Sequence, residues 1–267
     1  MKLGFIGCGN MAGAIIEGII KSRVIAPEYI NVYDINTCAA ESIKEKYPIK
    51  IMNSERETVF ESDVVILAVK PNVITDVLDK INTALEESDT LIISIAAGKT
   101  ISYIRNNLSH DNRIIRVMPN INATVGEAMC AYTANDKAND ADRQLCELIF
   151  SAVGKVLYIE EKQFPIFGVI GGCGPAFSYM FIDSLARAAV KNGMDKDTAL
   201  MTAAQTVLGS AKMVLEKMRD EHPWELIDKV CSPGGTTIEG VASLQNDGFE
   251  AAVNNAVNKA LEKDAKL

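Results

Sequence analysis

Histidine and tryptophan are nearly absent from this chain: 267 residues hold two histidines, His110 and His222, a single tryptophan, and only 6% aromatics. So few imidazoles argue against a histidine-built metal site, and no metal is expected. The six cysteines (Cys8, Cys38, Cys130, Cys146, Cys173, Cys231) are scattered without a C-x-x-C pair. Neither a disulfide framework nor a zinc site follows from that spacing, and reduced thiols are the expectation. Positive charge is also short: the net charge is −8, which argues against a nucleic-acid partner. Gln163–Ile182 is uncharged and about as long as a bilayer span. It is broken by Pro165, Gly168, Gly171, Gly172, Gly174 and Pro175 and flanked by Glu161, Lys162, Asp183 and Arg187. It therefore reads as a buried loop entering a helix, with no membrane expected. Lys2 opens a strand pattern instead of a secretory leader, so the expected location is cytoplasmic.

What is present is aliphatic: 48% of residues are hydrophobic, enough for one large domain or two modest ones. Lys2–Ile6 is a short apolar strand, followed at once by Gly7-Cys8-Gly9-Asn10-Met11-Ala12-Gly13 and a helical pattern through Ile20. Strand, G-x-G-x-x-A/G and helix in that order form the dinucleotide-binding fingerprint. Gly7 permits the tight turn, Gly9 lets a pyrophosphate approach the backbone, and Ala12 and Gly13 let helix and strand pack closely. The next strand, Ile30–Tyr33, ends at Asp34, twenty-one residues past Gly13. An acid there receives ribose hydroxyls; the alternative is an aspartate capping the helix from Thr37.

Val64–Val69, Leu91–Ala97 and Ile114–Met118 are further apolar strands alternating with helices. Continuous apolar runs of this kind imply parallel strands buried on both faces. The fold class is thus α/β, a Rossmann-type doubly wound parallel sheet over residues 1–160. Ligands bind at the carboxyl ends of such strands, where Lys70 and Asn120 fall; either is a ligand contact or a solvated loop residue. From 161 to 267 the pattern is helical. Ala176–Lys191 closes at Asn192-Gly193, Asp195 or Asp197 caps a helix running to about Arg219, and Phe249–Leu261 is amphipathic. The apolar bands of the first two are wider than one core contact requires, which predicts a homodimer through an all-α domain. Between the second helix and the last lies Ser232-Pro233-Gly234-Gly235-Thr236-Thr237, a turn opening a helix whose free N–H groups suit a small carboxylate or phosphate. Taken alone, these residues are better read as an ordinary capped helix.

G-F-I-G-C-G-N-M-A-G at the start, A-V-K-P at 68–71, M-P-N at 118–120, G-C-G-P-A-F at 172–177 and S-P-G-G-T-T at 232–237 together resemble the pyrroline-5-carboxylate reductase family almost end to end. The resemblance implies reduction of the cyclic imine Δ1-pyrroline-5-carboxylate to L-proline with NADH or NADPH, the last step of proline biosynthesis. It also implies an interleaved dimer and assembly of dimers into a decameric ring. Ile6, Gly7, Cys8, Gly9, Asn10 and Met11 match the loop under the pyrophosphate. Ala68, Val69, Lys70 and Pro71 match the segment bordering the cofactor, and Ala96 and Ala97 the strand end near the nicotinamide. Gly235, Thr236 and Thr237 match the residues whose amides hold the substrate carboxylate, with the Thr237 hydroxyl facing the substrate nitrogen. Glu161 matches an acid beside the substrate. The family pattern is broken at Gly171 and Cys173, where serines are usual, at Pro165, where aspartate is usual, and at Ile227, where a basic residue is common.

A protonated imine is already electrophilic, so hydride transfer needs positioning more than acid–base groups. A reductase of a six-membered imine, or a non-catalytic cofactor-sensing relative, are the alternatives; the near absence of histidine disfavours a hydroxy-acid dehydrogenase. Glu55 stands where the family often has an asparagine beside the adenosine ribose. With Asp34, and no basic residue before Lys44, it predicts a leaning towards NADH over NADPH.

Overall fold

Leu3–Ile6, fully buried, form β1, and the same four-residue economy recurs through the first unit of the computed structural model, which describes residues 1–265. The order is β1 (Leu3–Ile6), α1 (Asn10–Lys21), β2 (Ile30–Tyr33), α2 (Thr37–Lys44), β3 (Lys50–Ile51), α3 (Glu55–Phe60) and β4 (Val64–Leu67). Then follow α4 (Ile74–Glu86), β5 (Leu91–Ser94), α5 (Ile101–Asn106), β6 (Ile114–Met118), β7 (Ala128–Ala134), α6 (Asp140–Ser151) and β8 (Gly154–Tyr158). The strands pair in the order β3-β2-β1-β4-β5-β6-β7-β8. The first six are parallel, with Leu3 opposite both Ile30 and Val64. β7 runs antiparallel to β6, and β8 parallel to β7.

The period of two along each strand divides the apolar residues between the sheet's faces. On β4, Val64 and Ile66 join one cluster with Ile15, Ile16 and Ile19 of α1 and Ile149 and Phe150 of α6. Val65 and Leu67 join the other with Ile74, Leu78 and Ile81 of α4 and Ile104 of α5. Helices therefore cover both faces, and the strand ends carrying the glycine loop are left at one edge.

Two strands depart from the expectation. β7 reads A-M-C-A-Y-T-A and β8 reads G-K-V-L-Y with exposed members. Neither is rich in β-branched residues, so local propensity did not mark them; β7 is a strand by pairing to β6, and β8 by pairing to β7. They turn an all-parallel expectation into a mostly parallel sheet.

Contacts divide the chain after Gly172. The first unit ends in α7 (Phe164–Phe167) and a π-helical turn, Gly168–Cys173, whose last residue belongs to the second unit. The second contains α8 (Gly174–Lys191), α9 (Lys196–Lys217), α10 (Pro223–Val230), α11 (Thr236–Asn246) and α12 (Phe249–Asp264). Asp195 caps α9 through the Thr198 N–H at 3.0 Å. Its apolar core is an alanine cluster of Ala186, Ala199 and Ala203 between α8 and α9. Met180 and Met201 are 74% and 71% exposed, and Leu208, Leu215 and Val253 also face outwards. Such a helical unit leaves much of its apolar surface uncovered within one chain. Glu161–Lys191 is, among the described residues, the stretch long and apolar enough to cross a membrane. It carries an Asp183–Arg187 ion pair at 2.5 Å.

Candidate active site

The site begins where β1 turns into α1. The Gly7 N–H donates to the Tyr33 carbonyl at 2.8 Å. Its φ is +100°, and a Cβ would lie 2.6 Å from the Ala68 carbonyl oxygen. Only glycine satisfies both requirements. At Gly9 the space is open instead, with nothing within 4 Å of an added Cβ. Gly9 caps α1 without a side-chain bond, so the first-turn N–H groups and the positive end of the helix dipole face outwards. That cradle fits the pyrophosphate of a dinucleotide.

Asp34 braces the cradle. One carboxylate oxygen accepts the Cys8 N–H at 2.6 Å, the other the Asn36 N–H at 2.8 Å. The helix cap of α2 is Asn36, so Asp34 ties the glycine loop to the residue that caps that helix. Burial first, and the nearby Asp34 charge second, push the Cys8 thiol up to about 12. It is no nucleophile at neutral pH.

Beyond the loop lies a cleft of about 340 Å³. Its walls include Gly9, Asn10, Met11, Ala68–Pro71, Ala96 and Ala97, with Arg116–Pro119 closing the far side. The strand order explains this convergence: β4, β5 and β6 lie on one side of β1 and β2 on the other. A dinucleotide whose pyrophosphate sits on α1 and whose adenosine ribose reaches β2 must carry its nicotinamide over the β4–β6 half. Ile6 is buried beneath the loop. Glu55, first residue of α3, is buried and paired with Lys80 at 2.7 Å.

Asn120 is neither solvated nor on the cleft wall. It is buried, and its Nδ2 donates to the Gly171 carbonyl at 2.8 Å. Glu161 is engaged by two donors on one oxygen: Arg116 Nη1 at 2.9 Å and the Ile101 N–H at 2.8 Å. Arg116 was not among the residues picked out from sequence, although a lone charge in I-I-R-V-M was the signal. Both histidines sit elsewhere. His110 pairs with Glu86 at the far end of α4, and His222 caps α10 with Glu225. Among the described residues, no cluster of His, Cys, Asp or Glu can hold a metal ion.

In the second unit, the Gly235 N–H closes a tight turn onto the Ser232 carbonyl at 3.0 Å, and Gly234 has φ +66°. Gly235 caps α11 with no side-chain bond. The N–H groups that open α11 are therefore free for an anion, and Thr237 is exposed beside them.

A glycine cradle on β1, an acid at the end of β2 and a cleft over β4–β6 define a Rossmann-type NAD(P)H-dependent oxidoreductase. Residues 2–98 match the family model described as NADP oxidoreductase, coenzyme F420-dependent, and residues 161–267 match pyrroline-5-carboxylate reductase dimerisation. The chain belongs to the pyrroline-5-carboxylate reductase family. It is 43% identical over 267 residues to that reductase of Escherichia coli (strain K12), covering 100% of this chain and 98% of the relative. The reductase of Methanosarcina acetivorans is 41% identical, covering 100% and 97%. The solved structure from Coxiella burnetii superposes with a TM-score of 0.93 at 32% identity, over 99% and 97% of the two chains. The NADP-bound reductase of Plasmodium falciparum gives 0.86 at 35%, over 99% and 97%.

Proposed function

We propose that this chain reduces Δ1-pyrroline-5-carboxylate to L-proline, the last step of proline biosynthesis, in the cytoplasm. The observation that carries the reading is the Ser232–Thr237 turn: free helix-opening amides beside an unburied hydroxyl, in a chain otherwise equipped for a dinucleotide. Bound NAD(P)H supplies the hydride. The Gly235 N–H, expected to help hold the substrate, is spent on the Ser232 carbonyl; the N–H groups at Thr236 and Thr237 hold the substrate carboxylate, and Thr237 bonds the ring nitrogen. The new C–H bond forms at the imine carbon while the C=N π pair moves onto nitrogen, which already carries its proton. The protein's task is therefore orientation, not proton supply.

The working enzyme on this reading is a homodimer built through residues 161–267, with dimers gathering into a decameric ring. Its support is the apolar surface that α8, α9 and α12 leave uncovered. Residues 1–160 form the cofactor domain, and Asp34 gives NADH the advantage over NADPH.

The test is cofactor oxidation followed optically with pyrroline-5-carboxylate and with its six-membered homologue. Turnover of the five-membered imine at the higher kcat/KM supports the reading. A preference for the larger ring, or no turnover of either, overturns it.

A further inference from the structure

β6 and the residue beyond its proline present Arg116, Met118 and Asn120 at alternating positions, the backbone staying extended through Asn120 (φ −128°, ψ 172°). All three side chains meet one segment, residues 161–171. Arg116 bonds Glu161, and its guanidinium carbon lies 4.3 Å from the centre of the Phe164 ring. The Met118 methyl packs so close to Gly168 that a Cβ there would come within 2.6 Å of it. Asn120 bonds the Gly171 carbonyl, inside the π-helical turn.

The end of β6 that walls the cleft is thus fastened to this segment at three successive points. Glu161 adds a fourth tie, because the same oxygen that takes Arg116 also takes the N–H opening α5. Arg116 is 8% exposed and still lines the cleft, on the half where the strand order puts the nicotinamide. A buried guanidinium held by a carboxylate and a ring face has little freedom to move. With both donors on one oxygen, Glu161 has its bonding directed at the protein.

We infer that Arg116 is a positioning residue for the nicotinamide end of the cleft, and that Glu161 acts through Arg116 instead of on the substrate. The inference rests on the cofactor reading of the cleft, but not on which imine is reduced.

The experiment compares NADH with ADP-ribose, which lacks the nicotinamide, by calorimetric titration of the full-length protein. Wild type, Arg116→Ala, Glu161→Ala and Glu161→Gln are used, each checked for folding by circular dichroism. Either alanine variant is expected to weaken NADH about tenfold, the scale of one lost charge-assisted bond, and ADP-ribose by about twofold or less. Glu161→Gln keeps an oxygen acceptor for both donors and should recover most of the lost NADH affinity. In the imine assay its pH profile should follow that of wild type. Equal weakening of NADH and ADP-ribose would make the pair a general structural tie and overturn the inference. So would a Glu161→Gln variant as inactive as Glu161→Ala with an altered pH profile, since that identifies Glu161 as an acid. The titrations read the inference even if pyrroline-5-carboxylate proves not to be the substrate.

Discussion

Glu55 Oε1 lies 2.7 Å from Lys80 Nζ, the glutamate side chain 10% exposed and the lysine 53%. The bond and the opposite charge of Glu55 raise the Lys80 ammonium above its ordinary pKa. From sequence, Glu55 and Asp34 looked like two free carboxylates, jointly repelling a 2′-phosphate. The pair changes that balance. Val32 of β2 lies opposite Ile51 of β3, so Asp34 and Glu55 leave the sheet at the same corner. Lys80 stands against Glu55, its charge spent there.

The cofactor preference should therefore rest on Asp34. The expected wild-type kcat/KM is higher with NADH by about tenfold, a difference of about 1.4 kcal/mol. Asp34→Ser with Ile35→Arg should narrow or reverse it. Glu55→Gln should narrow it by about threefold, because Lys80 is released while the fold keeps a polar side chain. Wild-type kcat/KM equal or better with NADPH would remove the role given to Asp34.

Thr237→Ala should lower kcat/KM for the imine by about ten- to a hundredfold, the loss of one hydrogen bond formed in the transition state. Thr237→Val should match it, since shape is kept and the hydroxyl is lost. Thermal stability should hardly move, because Thr237 is exposed at the start of α11. Wild-type kinetics in both variants would leave the backbone amides as the whole of the site.

The exposed faces of α8, α9 and α12 predict an obligate dimer. Among the described residues, a single chain buries three alanines between α8 and α9, with Ile182, Ala189 and Val190 partly buried against them, too little apolar area to hold the unit. Sedimentation should show no monomer at concentrations where activity persists. A stable, active monomer on dilution is the result that would defeat this expectation.

Thiol labelling offers a check on the core. Burial pushes Cys130 up to about 12, and Cys146 higher still with the neighbouring Cys130 adding to it. Together with Cys8, these thiols should resist maleimide at neutral pH until the protein is unfolded. Cys38 on α2 and Cys173 are exposed and should react first. Rapid native labelling at Cys130 or Cys146 would mean that the sheet opens locally far more often than its packing implies.

The sequence alone determined the elements whose signals are local. β1, the glycine loop and α1 are legible because a tight turn, a close backbone approach and an open helix start each demand a particular residue within a few positions. The same holds for the Ser232–Thr237 turn and for an aspartate cap at Asp195 or Asp197, of which the folded chain uses Asp195. Pairings between distant residues were not legible. Arg116 meets Glu161 across forty-five positions and Lys80 meets Glu55 across twenty-five, and nothing in either segment points at its partner. β7 and β8, poor in branched residues, are strands because β6 offers β7 an edge and β7 in turn offers one to β8. Those features wait on strand order and helix placement, since a hydrogen bond or a ladder depends on which segments the folded chain brings within about 3 Å of each other.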